Sequence, residues 1–232
     1  MIWMSCVHSK FRSIFVIALC TVFLLSMSNY DNKTVYNSNA INSGKIALTF
    51  DDGPHPKITP KILDILKKYE IKATFFVIGV NVDNYPNPLL RAASEGHEIG
   101  NHTNSHSILK SMNKNKIQEE IDLCENKIFE LTSTKTKILR PPCGLYDESL
   151  IDIAKNYDCK IILWNIDTHD WAHLSTSEIV KNVTKNVKGG DIILFHDYLS
   201  GESHTIEALE ILIPMLLKNG YEFVTISQLL EN

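Results

Sequence analysis

From Lys45 onward two periodicities take turns along the chain. Runs rich in β-branched and aromatic residues cover 45–51, 73–79, 97–101, 137–140, 160–166, 191–196 and 222–226. Most are apolar at successive positions, as a strand covered on both faces requires. The stretches between them repeat apolar residues every three or four positions, so each predicts a helix with one buried stripe. Ile62, Ile65, Leu66 and Tyr69 share one face, and Ile117, Ile121, Cys124, Ile128 and Leu131 another. Ile179, Val183 and Val187 form a third, and Ile206, Leu209, Ile213 and Leu216 a fourth. Strands alternating with helices predict a parallel α/β domain of about seven strands. Periodicity does not separate an open doubly wound sheet from a barrel. In either, chemistry belongs at the C-terminal ends of the strands.

The N-terminal pattern is different. Ile14–Met27 is fourteen residues without a charge, preceded by Lys10 and Arg12. A bilayer core needs about 20 apolar helical residues, so the run is short for a span. It fits the ~7–15-residue apolar region of a secretory signal behind a basic start. Ser26-Met27-Ser28 supplies small residues for a cut before Asn29. Residues 1–28 are therefore expected to be a cleaved signal peptide or an uncleaved N-terminal membrane anchor, with a buried helix as the other reading. Asn-rich, aperiodic Tyr30–Ser43 lies within an expected polar tether, 29–44. The domain then occupies 45–232.

Charge sharpens this division. The 232-residue chain carries a net −4; residues 1–44 hold +2 and residues 45–232 hold −6. No basic excess exists to track a phosphate backbone, so no nucleic-acid partner is expected. Of five cysteines, Cys6 and Cys20 fall in the leader. Cys124, Cys143 and Cys159 remain, an odd number that argues against a disulfide framework. Cys124 lies in a helical stripe and is expected in the core.

Polar signals concentrate just after the strands. Asp51-Asp52-Gly53-Pro54 ends the first; adjacent carboxylates repel, and a cation beside them would explain the pair. An Asp-Gly-Pro turn is the plainer reading. Both carboxylates can serve one site only if the backbone turns there. His102-Thr-Asn-Ser-His106 follows the third strand. If that stretch is helical, its histidines share a face and could chelate a metal. Two His and one Asp would leave positions open for water, as a catalytic zinc site requires. Arg140-Pro-Pro-Cys-Gly144 ends the fourth strand, and Arg140 is one of three arginines in the chain. Its planar fork can hold a carboxylate bidentately, or simply anchor the loop. Cys143 and Gly144 supply N–H groups that could face an oxyanion. Cys143 as a nucleophile lacks a supporting His-Asn spacing. Asp167-Thr-His-Asp170-Trp171 closes the fifth strand and His196-Asp197 the sixth; a strand-end His beside an Asp could be a general acid. Trp164 is expected in the core.

These five motifs, in this order, resemble the NodB-like polysaccharide deacetylases, carbohydrate esterase family 4. They read Thr49-Phe-Asp-Asp-Gly-Pro54, His102-Thr-Asn-Ser-His106, Arg140-Pro-Pro-Cys-Gly144, Asp167-Thr-His-Asp-Trp171 and Ile193-Leu-Phe-His196. Ala73-Thr-Phe-Phe-Val77 and Gly96-His-Glu-Ile-Gly-Asn-His102 also look like the family, and the likeness spans about 45–230. It implies a distorted (β/α) barrel with fewer than eight complete units, and makes 45–232 a catalytic domain. It implies Asp52, His102 and His106 as ligands of a divalent metal, commonly Zn2+, with Co2+, Ni2+ or Mn2+ as alternatives. Asp51 would be the general base on the attacking water, with Arg140 holding it in place. The Cys143 N–H would stabilise the oxyanion. His196 would protonate the leaving amine, tuned by Asp170. Trp171 and Leu194 would border the acetyl-methyl pocket.

Two positions depart from the family. An aromatic residue is usual where Asn104 stands, and often where Cys143 stands, which bears on sugar preference rather than on chemistry. The expected activity is removal of N-acetyl groups from a glycan, most of all N-acetylglucosamine of peptidoglycan or a chitin-like oligomer. An O-acetyl esterase on xylan or muramic acid is the alternative, and a non-catalytic glycan-binding wall protein the alternative of another class. The protein is expected secreted or anchored on the outer membrane face, touching membrane only through its N-terminal segment, and monomeric.

Overall fold

The computed structural model describes residues 34–38, 44–199, 201 and 203–231. The expected leader, residues 1–28, lies outside them, as does most of the expected tether. The first elements are β1 (Val35–Tyr36), β2 (Lys45–Asp51), α1 (Ile58–Lys68), β3 (Thr74–Val77), α2 (Gly79–Asn84), α3 (Pro86–Ser94) and β4 (Glu98–Asn101). Then come α4 (Lys114–Thr132), β5 (Ile138–Leu139), α5 (Glu148–Asn156), β6 (Lys160–Ile162), β7 (Ile166–Asp167), α6 (Thr176–Thr184), β8 (Ile192–His196), α7 (Thr205–Lys218), β9 (Glu222–Phe223) and α8 (Ile226–Leu230). Short 3-10 turns cover Pro142–Gly144 and Asp170–Ala172.

Eight parallel strands lie side by side in the order β1-β6-β5-β4-β3-β2-β8-β7, and β9 pairs with β2. This is a curled sheet of the distorted (β/α) barrel type. At its open seam an antiparallel bridge joins Ser38 to Asp191. Alternation along β2 divides the core. Ile46, Leu48 and Phe50 belong to the large cluster that also contains the buried faces of α1, α6 and α7. Ala47 belongs instead to a cluster with Phe76, Ile162, Ile192, Ile226 and Leu229. Thr49 and Asp51 follow Ala47 on that second face. Both faces of β2 are thus covered, which is why it reads as an apolar run.

Three sequence expectations shift. The run 160–166 splits into β6 and β7, because the chain leaves β5 and crosses the seam to pair with β8. Asn165 marks the crossing: its amide donates to Asp191 (2.5 Å) and its oxygen accepts the Ile192 N–H (2.8 Å). The run 222–226 stops as a strand at Phe223. Thr225 and Gln228 form a capping box that starts α8 instead. Within the expected tether, Val35 and Tyr36 pair with Ile161 and Ile162, so the sheet begins before residue 45.

The helical stripes fall where the period puts them. In α4, Ile117, Ile121, Cys124 and Ile128 are buried. In α7, Leu209, Ile213 and Leu216 are buried.

Candidate active site

Because the strands are parallel, their C-terminal ends gather on one side of the sheet, and the five motifs meet there. Asp51 is the last residue of β2, in register with His196 at the end of β8. Asp52 follows in the left-handed region (φ 75°), which reverses the alternation and turns both carboxylates toward one site. The next residue must be glycine. A Cβ on Gly53 would lie 2.3 Å from the Asp197 carboxylate oxygens. Asp197 is fully buried, and Thr59 donates its hydroxyl to Asp197 Oδ2 at 2.5 Å. Burial first, with Asp51 and Asp52 adding to it, pushes the Asp197 carboxyl up to about 7.

The 102–106 stretch is not helical, contrary to the expectation from its spacing. Thr103 (φ 68°) and His106 (φ 58°) sit in the left-handed region, at a cost of about 1–2 kcal/mol each. The loop is fixed from outside. Gly79 and Val80 donate their N–H groups to the Thr103 and Asn104 carbonyls at 3.0 and 2.9 Å. Thr103 N–H donates to the Asn101 side chain (2.9 Å), which in turn donates to the Ile121 carbonyl (3.0 Å). The two imidazoles still converge, through loop geometry rather than helical phase.

Asp52 Oδ1 lies 3.4 Å from His102 Nε2 and 3.3 Å from His106 Nε2. His102 Nδ1 contacts the Arg140 carbonyl at 2.7 Å. A carbonyl can only accept, so Nδ1 carries the proton and the lone pair of the neutral ring is at Nε2. Asp52 Oδ1 is buried without a hydrogen-bond partner among the described residues. An orphaned carboxylate oxygen facing two imidazole nitrogens is the donor set a divalent cation completes, so the residues fit a metal. Burial opposes ionisation of Asp52, but His102, His196 and His106 outweigh it and hold its carboxyl below the usual range.

Arg140 is fully buried at the end of β5. Its guanidinium does not grip a carboxylate bidentately as its fork allows. One NH2 group reaches Asp51 Oδ1 (2.7 Å) and Thr49 Oγ1 (2.8 Å). Nε and the other NH2 donate to the Ile162 and Leu163 carbonyls at 3.2 and 3.1 Å, which the break between β6 and β7 leaves free. The cation stacks 4.1 Å from the centre of the Phe76 ring and 5.5 Å from Trp164. Thr49 passes the constraint on, donating to the Ile193 carbonyl at 2.8 Å. Asp51 thus has one oxygen tied down, and its other oxygen lies 3.7 Å from His102 Nε2.

Opposite stands the histidine–aspartate pair. His196 Nδ1 donates to Asp170 Oδ1 at 2.8 Å. The His196 N–H (2.9 Å) and the Thr205 hydroxyl (2.8 Å) donate to Asp170 Oδ2. Burial disfavours a charged ring, but the Asp170 bond and charge dominate, with Asp51 and Asp52 adding, and push His196 up to about 9. Leu194 is buried, two residues before His196 on the same face of β8. Trp171 is half exposed and donates its indole N–H to Asp167 Oδ1 at 3.3 Å. Cys143 is exposed with φ 56°, and Gly144 follows at φ 68°, where a Cβ would meet Trp164 at 3.1 Å. Asn104 accepts from Lys127 Nζ (2.8 Å), which also pairs with Asp83 (2.7 Å).

Sequence reasoning did not assign roles to Thr49, Thr59 and Thr205, or to the Asp197 carboxylate. Thr49 opens a quoted motif, and its place in front of Asp51-Asp52 was the available signal. Thr59 and Thr205 had none, since their partners lie 138 and 35 residues away.

The sequence profile of the polysaccharide deacetylase family matches residues 38–162. A peptidoglycan-N-acetylglucosamine deacetylase of Bacillus cereus is 41% identical over 192 residues, 82% of this chain and 90% of that protein. The crystal structure of a peptidoglycan N-acetylglucosamine deacetylase superposes with a TM-score of 0.83 at 38% identity, over 86% of this chain and 94% of the other. A family 4 acetyl xylan esterase from Clostridium thermocellum, solved with a cobalt ion, gives 0.74 at 36% identity, over 80% and 89%. Profile, relatives and barrel agree with one another, the profile spanning the first three motifs, and the chain belongs to the NodB-like polysaccharide deacetylases of carbohydrate esterase family 4, a hydrolase of that family.

Proposed function

We propose that the protein removes N-acetyl groups from a glycan, with N-acetylglucosamine of peptidoglycan as the preferred substrate, using a divalent metal, zinc first among the candidates. The observation that carries this is the pairing of an orphaned Asp52 oxygen and two imidazoles with a separate, fully bonded His196–Asp170 pair at the end of the neighbouring strand. Asp52, His102 and His106 would hold the ion. When bound it supplies a Lewis acid and lowers the pKa of water.

The chain's own groups do the rest. Asp51, with Oδ1 tied to Arg140, takes the proton of the attacking water at Oδ2. As the water oxygen bonds to the acetyl carbon, the Cys143 N–H donates to the developing oxyanion. His196 Nε2, faced into the site by the Nδ1 bond to Asp170, gives its proton to the leaving nitrogen. The C–N bond breaks, leaving acetate and a free amine. Leu194 and Trp171 border the methyl group.

Incubation with zinc and N-acetylglucosamine oligomers or peptidoglycan should release acetate and an equal amount of amine. Absence of release from every N-acetyl glycan, with zinc bound, would overturn the proposal. Likeness to the acetyl xylan esterase supports a second reading, O-acetyl hydrolysis; acetate release from acetylxylan against chitin oligomers separates the two. Lys10 and Arg12 ahead of Ile14–Met27 support export through residues 1–28 and action at the wall, with 29–44 leading into the catalytic domain.

A further inference from the structure

The two histidines of the metal cluster are held very differently. His102 is 2% exposed, and its Nδ1 is anchored on the Arg140 carbonyl. His106 is 38% exposed in its side chain, and among the described residues no group bonds its Nδ1. Its ring direction therefore depends on its backbone, which lies in a left-handed conformation disfavoured for any residue with a Cβ. Something must hold that backbone.

One side chain on α4 reaches both neighbours of His106. Glu120 Oε2 accepts the Ser105 N–H at 2.9 Å, and Oε1 accepts the Ser105 hydroxyl at 2.7 Å. The Ser107 hydroxyl reaches Oε1 at 3.4 Å and sits 2.8 Å from the Ser105 hydroxyl. The carboxylate thus brackets His106 on either side, from the edge of a buried stripe that Ile117, Ile121 and Cys124 lock into the core. Hydrogen bonds to an ionised acceptor are the strong kind.

We propose that Glu120 is a positioning residue of the metal cluster: by clamping Ser105 and Ser107 it aims His106 Nε2 at Asp52 Oδ1. This rests on the metal-dependent reading above. Outer partners of metal ligands typically contribute about 10–100-fold in affinity.

The test measures zinc affinity by competition with a chromophoric chelator, thermal unfolding of the metal-free protein, and turnover at saturating zinc. Glu120→Ala should weaken zinc binding by about ten-fold or more. Metal-free unfolding should fall by no more than a few degrees, and turnover should return once zinc is in excess. Glu120→Gln keeps an oxygen for the Ser105 N–H and an amide for the serine oxygens, and should recover most of the affinity. Should Glu120→Ala fail to fold, the Ser105→Ala/Ser107→Ala double variant removes the hydroxyl half of the clamp and should weaken zinc to a smaller extent. Zinc affinity within two-fold of wild type in Glu120→Ala, or in the double variant where Glu120→Ala does not fold, overturns the proposal. So does equal loss in Glu120→Ala and Glu120→Gln with a large drop in metal-free unfolding temperature, which would mark a purely structural role. A wild-type protein that binds no zinc overturns the metal reading and this role together, whereas acetate release from an unexpected glycan touches only the substrate.

Discussion

Asp170 spends both carboxylate oxygens on donors of its own chain: the His196 ring, the His196 N–H and the Thr205 hydroxyl. Asp52 Oδ1, beside the neighbouring strand's end, faces two imidazoles at the longer distances of 3.4 and 3.3 Å and has no donor among the described residues. The first carboxylate is completed by folding. The second is left open, and three residues around it are of the non-glycine kind with positive φ: Asp52, Thr103 and His106. His196 and Asp170 themselves carry no positive φ, although His169, just before Asp170, does (φ 57°), so the two sides differ in how their carboxylates are bonded rather than in backbone conformation. A protein can finish its general acid alone, but a metal site must stay unsatisfied until the ion arrives.

The comparison breaks hardest at Asp51, which lies between the two sides. Asp51→Asn should cut turnover by about 10²–10⁴-fold, the usual worth of a positioned base, while zinc affinity is retained. His102→Ala should instead lose zinc and activity together. Equal loss of zinc in both variants would show that the base and the ligand set are not separable.

Asp170→Asn probes the finished side. In the wild type the folded His196 titrates at about 9, above its unfolded value of about 6.5. The pair's contribution to stability is therefore fully present below the unfolded value and is lost as pH rises through the folded one. Activity shares that limb, because a deprotonated Nε2 has no proton for the leaving nitrogen. A pH profile of kcat/KM should fall on the alkaline side at or below about 9, since a bound cation nearby favours the neutral ring. In Asp170→Asn the limb should move to lower pH and turnover should drop by roughly 10²-fold. An unmoved limb would remove Asp170 from the tuning role.

The smallest expected effect is at Thr205. Removing its hydroxyl leaves Asp170 with two donors, so Thr205→Ala should lower turnover by about ten-fold at most, consistent with one charge-assisted hydrogen bond. It should leave zinc affinity unchanged, which metal titration checks.

Much of this was legible in the chain. Runs such as 45–51 and 191–196 are buried on both faces, so their composition announces them. The motif residues sit at strand ends, where parallel topology brings them together whatever the helices between do. The His102/His106 pair shows the limit. Spacing suggested a helix, but Thr103 and His106 are held in the left-handed region by bonds from α2 and by a carboxylate on α4, and no local signal encodes partners that distant. The break in 160–166 is likewise set by the seam it crosses. Asp197 was visible as a neighbour of His196, but its burial against Gly53 and Thr59 was not.

The helix α8 carries a last consequence. Ile226 and Leu229 pack with Ala47 and Ile192, which stand near the starts of β2 and β8, away from Asp51 and His196 at their ends. The barrel is thus a cup with one mouth. On the proposed reading a long glycan would lie across that mouth rather than be threaded through the barrel, which suits action in the middle of a strand. On the same reading water would enter and acetate would leave by that opening, past the sugar that fills it.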